Sequence, residues 1–107
     1  MRRFLALALM MMIELPALAQ DDAAALRTRA LAANCAGCHG TEGRAPADSL
    51  VPGLAGMPSA YFITQMKAFQ SGARQGTLMP QLARGFTDAQ ILQLAQYFSG
   101  QKNGAAK

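Results

Sequence analysis

The chain's only two cysteines and its single histidine lie together in the run Cys35-Ala36-Gly37-Cys38-His39. Two thiols three positions apart, followed at once by an imidazole, are typical of the covalent attachment site of a c-type haem. In such a site each thiol forms a thioether to the haem, and the histidine is the proximal ligand of the iron. The spacing therefore predicts one covalent haem c per chain, held by Cys35 and Cys38, with His39 as an iron ligand.

Other uses of these three residues agree less well with the rest of the sequence. A redox-active dithiol belongs beside alternating strands and helices, and no such alternation is evident. A structural zinc site needs four ligands, whereas the chain has no further Cys or His. A disulfide between Cys35 and Cys38 stays open as an alternative, but it would leave His39 without a role.

A haem iron held by one histidine has a second axial position. Because there is no second histidine, methionine is the obvious soft ligand, and the chain beyond residue 19 offers Met57, Met66 and Met79. Met57 is close in sequence to His39, and Met66 falls within a helical stripe. Met79 lies in a loop long enough to cross to the other haem face, so we expect it to be the second ligand. An iron without that ligand would instead indicate a sensor or gas-binding module.

The first 19 residues predict an export signal. Arg2 and Arg3 precede an apolar run and the small-residue pair Ala17 and Ala19, the pattern of a cleaved signal peptide. The run is short for a membrane span. We expect residues 1–19 to be removed and 20–107 to form one domain in the periplasm without a transmembrane anchor. An uncleaved amphipathic anchor is the alternative.

Composition limits the partners and the stability of the chain. The formal net charge is +4, and no basic run is interleaved with aromatic residues, which argues against nucleic-acid binding. A mature chain of about 88 residues buries only a small core. We therefore expect a large apolar cofactor to complete the core, and the apo chain to fold poorly.

Three helices are predicted around this site. The first, over 23–33, leads into Cys35 and presents Leu26, Ala30 and Ala33 for packing. The second starts at Pro58, covers 59–71 and stops at Gly72. We expect its inner stripe to pack on the haem, with Tyr61 alongside and Lys67 and Gln70 outside it; the stripe is Phe62, Met66 and Phe69.

The last helix is predicted to start at a capping box formed by Thr87 and Gln90 and to stop at Gly100. Its inner stripe consists of Ile91, Leu94, Ala95 and Phe98, with Tyr97 beside it. The segments 40–56 and 72–85 contain too many glycines and prolines for regular structure and are predicted as loops. In the first loop, the Pro52 carbonyl is the expected acceptor for the second ring nitrogen of His39. Residues 101–107 are predicted to fray.

The order of these motifs resembles that of the bacterial class I cytochromes c. The resemblance is carried by a helix into the Cys35–Gly40 run, by Pro52-Gly53-Leu54-Ala55-Gly56, by Met79-Pro80, and by Leu94-Ala95-Gln96-Tyr97-Phe98. It implies an all-α fold with three main helices around one covalently attached haem, the first and last helices crossing near Tyr97 and Phe98. It also implies outer-sphere transfer of one electron at a time, by a protein that is not an enzyme by itself.

A narrower resemblance is to the cytochrome subunit of flavocytochrome c sulfide dehydrogenase. It rests on Leu54-Ala55-Gly56-Met57-Pro58, on the stretch from Met66 to Arg74, and on Thr77-Leu78-Met79 with Leu82 to Asp88. It implies Cys35 and Cys38 as thioether carriers, His39 and Met79 as iron ligands, and an FAD-containing flavoprotein subunit as electron donor. The alternative is a free-standing shuttle to an oxidase or another reductase. We expect Arg74 to be a solvated surface residue rather than a contact of a haem propionate.

Overall fold

The computed structural model describes residues 15–103, and the regular structure within that range is helical. It consists of α1 (Leu15–Ala33), α2 (Ala36–His39), α3 (Ser59–Ser71), α4 (Met79–Arg84) and α5 (Asp88–Ser99), with a 3-10 turn at Thr41–Gly43. The expected all-α fold is confirmed, because α1, α3 and α5 are three main helices. No helix within the described range is long and apolar enough to cross a membrane.

The predicted signal peptide lies largely outside the described residues, which begin at residue 15. Residues 15–19 belong to the first turns of α1. Cleavage after Ala19 stays a prediction.

Helix α1 packs through a different face from the predicted one. Ala32 is buried and Leu31 is half-buried against the core, whereas Leu26 is 67% exposed. Ala30 and Ala33 are exposed as well, so the predicted packing face is wrong. An alanine-rich helix offers little contrast between its faces, and its packed face is selected by the contact with α5.

Helix α3 has the predicted bounds. Pro58 is its N-cap rather than its first helical residue, and Gly72 ends it in a left-handed conformation with φ of +79°. The three residues of the predicted stripe are buried: Phe62, Met66 and Phe69. The Phe62 ring lies 5.8 Å from the Phe98 ring of α5, centroid to centroid, so the two helices share one core.

Helix α5 starts at the predicted capping box. The Gln90 backbone N–H donates to the Thr87 hydroxyl at 3.2 Å, and the Thr87 N–H donates to the Gln90 side-chain oxygen at 2.9 Å. These bonds satisfy two donors that a helix start leaves free. The predicted inner stripe is buried, and Tyr97 packs edge-on against Phe98; the stripe is Ile91, Leu94, Ala95 and Phe98.

Gly43, in the first loop, lies so close to α5 that another residue would not easily fit in its place. The Gly43 carbonyl accepts hydrogen bonds from the N–H groups of Leu54 (2.7 Å) and Ala55 (3.1 Å). Gly43 has φ of +78°, and a Cβ built on it would lie 2.9 Å from the Phe98 ring. The turn after the haem motif and the segment carrying Pro52 are therefore held together at a point where only glycine fits.

The second predicted loop contains a helix that the sequence analysis missed. Residues 79–84 form α4, with Pro80 in its first turn and Gly85 as its C-cap. A proline is tolerated there because the first N–H groups of a helix have no intrahelical acceptor. The expectation of an irregular segment over 72–85 is wrong for its second half.

The described part of the C-terminal tail is anchored rather than frayed. The Gln101 N–H donates to the Phe98 carbonyl at 3.1 Å, and the Arg44 Nε–H donates to the Lys102 carbonyl at 3.0 Å. The prediction of fraying is wrong for 101–103, and residues 104–107 lie outside the described range. Arg44 and Lys102 are 58 positions apart in the sequence, so a local sequence pattern cannot predict this hydrogen bond.

Candidate haem site

A cavity of about 880 Å³ is bounded by α2, α3, α4 and the segments that connect them. This volume lies in the upper part of the range of about 300–1,000 Å³ that cofactor and ligand sites occupy. The four predicted site residues all line it: Cys35, Cys38, His39 and Met79. Side chains of the apolar core form part of the same wall, namely Leu54, Phe62, Met66 and Phe69. The fold therefore brings the sulfur and nitrogen donors to one apolar space.

His39 is buried at the end of α2, and the first loop holds its ring. Its Nδ1 lies 2.6 Å from the Pro52 carbonyl oxygen, the acceptor expected from the sequence. A carbonyl oxygen can only accept, so Nδ1 carries the proton and donates it. In the neutral imidazole, Nε2 is then the nitrogen with the free lone pair, the atom through which this tautomer can bind a metal.

The two cysteines are free thiols in different environments. Cys35 is half-buried, and its burial raises the pKa of the thiol, whereas Cys38 is exposed. The structure thus contains no disulfide between them. Within residues 15–103, no group of three or more His, Cys, Asp or Glu side chains is arranged to hold a metal ion directly. The zinc alternative therefore has no support in the described part of the chain.

All three methionines considered from the sequence line the cavity, but on different segments. Met57 follows Pro52 in the loop that holds His39, and its N–H donates to the Leu54 carbonyl at 3.1 Å. Met66 is buried in the middle of α3 among core side chains. Met79 is half-buried at the start of α4, on a segment separate from the loop that holds His39.

Arg74 lines the cavity as well, which the sequence analysis did not favour. Its guanidinium carbon lies 4.7 Å from the centroid of the Phe69 ring, and its Nη1 donates to the Gln65 side-chain oxygen. A cation above an aromatic face and a hydrogen bond to a neighbouring amide both restrict the guanidinium. Arg74 is therefore oriented by its neighbours, although the residue is exposed to solvent.

Two residues contribute to this region in ways that the sequence analysis missed. Phe86 directly precedes the capping box of the last helix, and it also lines the cavity. Gln70 was placed outside the packed stripe, and it is half-buried between α3 and α4. Its partners are backbone groups 13 and 16 residues further along, so no local pattern indicates them.

The donor set at the cavity fits a covalently attached haem. Two thiols, an imidazole whose Nδ1 is held by the Pro52 carbonyl, and a thioether border an apolar wall. Thiols can carry thioether bonds, and imidazole and thioether are established axial ligands of haem iron. The apolar wall suits the faces of a porphyrin.

Comparison with known proteins places these features in a family. The family model for cytochrome c matches residues 23–102. The chain is 38% identical over 72 residues to the cytochrome subunit of sulfide dehydrogenase from Chlorobaculum tepidum, an alignment that covers 67% of this chain and 64% of that protein. It is 38% identical over 68 residues to the thiosulfate dehydrogenase electron acceptor of Thiomonas intermedia, covering 64% of this chain and 31% of that protein.

A third relative is nearer in length. Cytochrome c-554(548) of Halomonas halodenitrificans is 37% identical over 71 residues, which cover 64% of this chain and 84% of that protein. The chain spans less than two thirds of the length of the first two relatives. Because the family model covers most of the chain and includes the whole cavity, this protein belongs to the cytochrome c family, whose members bind covalent haem c and whose matched relatives are electron carriers or electron-accepting subunits.

Proposed function

We propose that this protein is a periplasmic monohaem cytochrome that transfers one electron at a time. Cys35 and Cys38 would carry the haem through thioether bonds, and His39 and Met79 would be the axial ligands of its iron. The observation that carries the proposal is the placement of all four side chains on one largely apolar cavity. When bound, the haem supplies a one-electron couple between ferric and ferrous iron.

The residues around the cavity would hold this cofactor in a single arrangement. The Pro52 carbonyl keeps His39 in the tautomer whose Nε2 can bind iron. The buried side chains of Phe62 and Phe69 form part of the apolar wall against which the haem would pack. The Met79 sulfur would close the remaining axial position and favour the ferrous state, because a thioether is a soft ligand. No residue needs to act as an acid, base or nucleophile.

The assignment of Met79 over the other methionines rests on the segments that carry them. Met57 follows Pro52 by five residues, just after the loop that holds His39, and this closeness in sequence favours the His39 side for it. Met66 is fixed within α3, where its neighbours in the stripe are core residues. Met79 comes from α4, an independent segment that also borders the cavity. This arrangement favours Met79 as the ligand opposite His39.

A spectrum of the exported protein and of Met79→Ala tests the ligands. We expect the oxidised wild type to show the weak thioether-to-ferric charge-transfer band in the far red, and Met79→Ala to lose it. Met57→Ala is the matched control and should keep the band. Persistence of the band in Met79→Ala would move the ligand to Met57 or Met66. Rapid carbon monoxide binding by the reduced wild type at neutral pH would instead support a sensor or gas-binding module.

For the electron donor, we propose the FAD-containing subunit of a sulfide dehydrogenase. The support is the likeness to the Chlorobaculum tepidum cytochrome subunit, together with the stretches of sequence that resemble such subunits. We expect a tagged form of this protein, purified from its own cells, to bring with it a yellow FAD-containing protein. Sulfide added to that complex should reduce the cytochrome.

The second candidate is a free-standing shuttle between other redox proteins. It is favoured by the likeness to cytochrome c-554(548), of which the alignment covers 84%. High-yield purification of the cytochrome alone, with sulfide unable to reduce it in the crude periplasmic extract, would select the shuttle. Both candidates keep the same ligands, so this experiment decides between partners only.

A further inference from the structure

Gln70 joins the central helix to the short helix that begins with Met79. Its Nε2 donates to the Ala83 carbonyl at 2.9 Å and to the Phe86 carbonyl at 2.9 Å. Both amide hydrogens are thereby used, and the opposite orientation of the amide would point its oxygen at two carbonyl oxygens. The orientation of Gln70 follows from the chemistry of its partners.

The acceptors lie where α4 ends. The last carbonyls of a helix lack intrahelical donors, and Ala83 belongs to the last turn of α4. The Ala83 carbonyl also accepts from the Phe86 N–H at 3.2 Å, so Gln70 adds a second bond to a fully buried residue. The side chain of α3 thus supplies a C-terminal cap to its neighbour.

Helix α4 buries few of its side chains in the core. Ala83 is its single buried residue, and Met79 is half-buried against the core. Residues 74–78, which lead into α4, line the cavity rather than the core. The two hydrogen bonds of Gln70 therefore add a polar attachment of α4 to α3 beside a small apolar contact.

We infer that Gln70 is a positioning residue for Met79: by fixing α4, it sets how readily the methionine sulfur is displaced from its place at the cavity. The inference rests on the proposed function, in which Met79 is an iron ligand. Gln70 does not line the cavity itself, so its effect is transmitted through α4. An opening of α4 would carry Met79 away without unfolding α1, α3 and α5.

The test uses the exported holoprotein with Gln70→Leu and Gln70→Glu. Leucine keeps apolar bulk without a donor, and glutamate keeps the shape but presents only acceptors at neutral pH. The matched control is Gln81→Leu, because Gln81 lies on α4 itself and is exposed, and within the described residues its side chain has one hydrogen bond, accepted from Arg84 at 3.4 Å. The readout is displacement of the methionine by added imidazole in the oxidised protein, followed by loss of the far-red band.

We expect both Gln70 variants to bind imidazole about ten- to a hundredfold more readily, the effect of losing two hydrogen bonds. Gln81→Leu should stay within about twofold of the wild type. Urea unfolding of each holoprotein measures the global loss of stability. The imidazole titrations, which are made without urea, measure the local opening of α4.

Two outcomes would overturn the inference, and they differ in their consequence for the assignment of Met79 as a ligand. Unchanged imidazole binding in both Gln70 variants, with the band present in the wild type, would reject the role of Gln70 and leave Met79 as a ligand. Absence of the band in the wild type would reject the Met79 assignment, and this inference with it. Should Gln70→Leu fail to accumulate as holoprotein, the isosteric Gln70→Glu decides the question.

Discussion

One arginine gives the lining of the cavity its permanent charge. Within the described residues, Arg74 is the one side chain lining the cavity that carries a permanent positive charge, and no Asp or Glu lines it. The guanidinium is held over Phe69 and beside Gln65 rather than left free. A fixed positive charge near a redox centre favours the reduced, less positive state of that centre.

Arg74→Gln is therefore expected to lower the reduction potential of the holoprotein, by up to about 60 mV, which is tenfold in a one-electron equilibrium. The shift should shrink as salt is added, because Arg74 is exposed. A spectroscopic redox titration measures it. Arg74→Lys keeps the charge and should stay near the wild type, and Arg84→Gln is a control outside the cavity lining. A raised potential in Arg74→Gln would contradict this account of the charge.

At the scale of elements, the loop over 40–56 holds His39 only because that loop is itself anchored. The Pro52 carbonyl accepts a hydrogen bond from the His39 ring. The Gly43 carbonyl, near the start of the same loop, accepts hydrogen bonds from the N–H groups of Leu54 and Ala55, which follow Pro52. The Gly43 carbonyl thus helps to fix the segment whose Pro52 carbonyl orients the imidazole.

Gly43→Ala is expected to destabilise the holoprotein more than Gly72→Ala does. Both glycines have φ near +80°, a conformation that costs an alanine about 1–2 kcal/mol. A Cβ at Gly72 meets nothing within 4 Å, whereas one at Gly43 lies 2.8 Å from the Ala55 nitrogen and 2.9 Å from the Phe98 ring. The overlap should add about 1–3 kcal/mol to the cost at Gly43. Urea unfolding measures both, and equal losses would show that the close contacts relax freely.

For the whole molecule, the core and the wall of the cavity share four buried side chains. Ten apolar residues are buried within the described range, and three of them are alanines. Leu54, Phe62, Met66 and Phe69 belong both to this core and to the cavity lining. A domain of this size gains little from burial among its own side chains alone. The cofactor is therefore expected to be part of the fold as well as the site of electron transfer.

Removal of both thiols tests this dependence. Cys35→Ala with Cys38→Ala should lose its haem on gel filtration in denaturant, because no covalent bond would hold it. Without denaturant, the double variant should show less helical circular dichroism and a lower melting temperature than the wild type. Met79→Ala is the control and should keep its haem in denaturant. Haem that stays with the unfolded double variant would contradict attachment through these cysteines.

The sequence by itself determined the features that depend on neighbouring residues. The haem motif around His39, the capping box of α5, and the bounds and buried stripe of α3 were all predicted, because each arises within one helix or turn. The candidate ligands were named from residue type and spacing, and the structure places them on one cavity. The family was also recognised from such motifs.

The tertiary structure decided what depends on distant partners. It selected the packed face of α1, since an alanine-rich helix has no strong stripe of its own. It formed α4, a six-residue helix too short to be stable alone, whose end is capped by Gln70 from another element. It anchored the tail through Arg44 and the Lys102 carbonyl. In each case a hydrogen bond or a contact joins residues far apart in the chain, and the local sequence carries no record of that pairing.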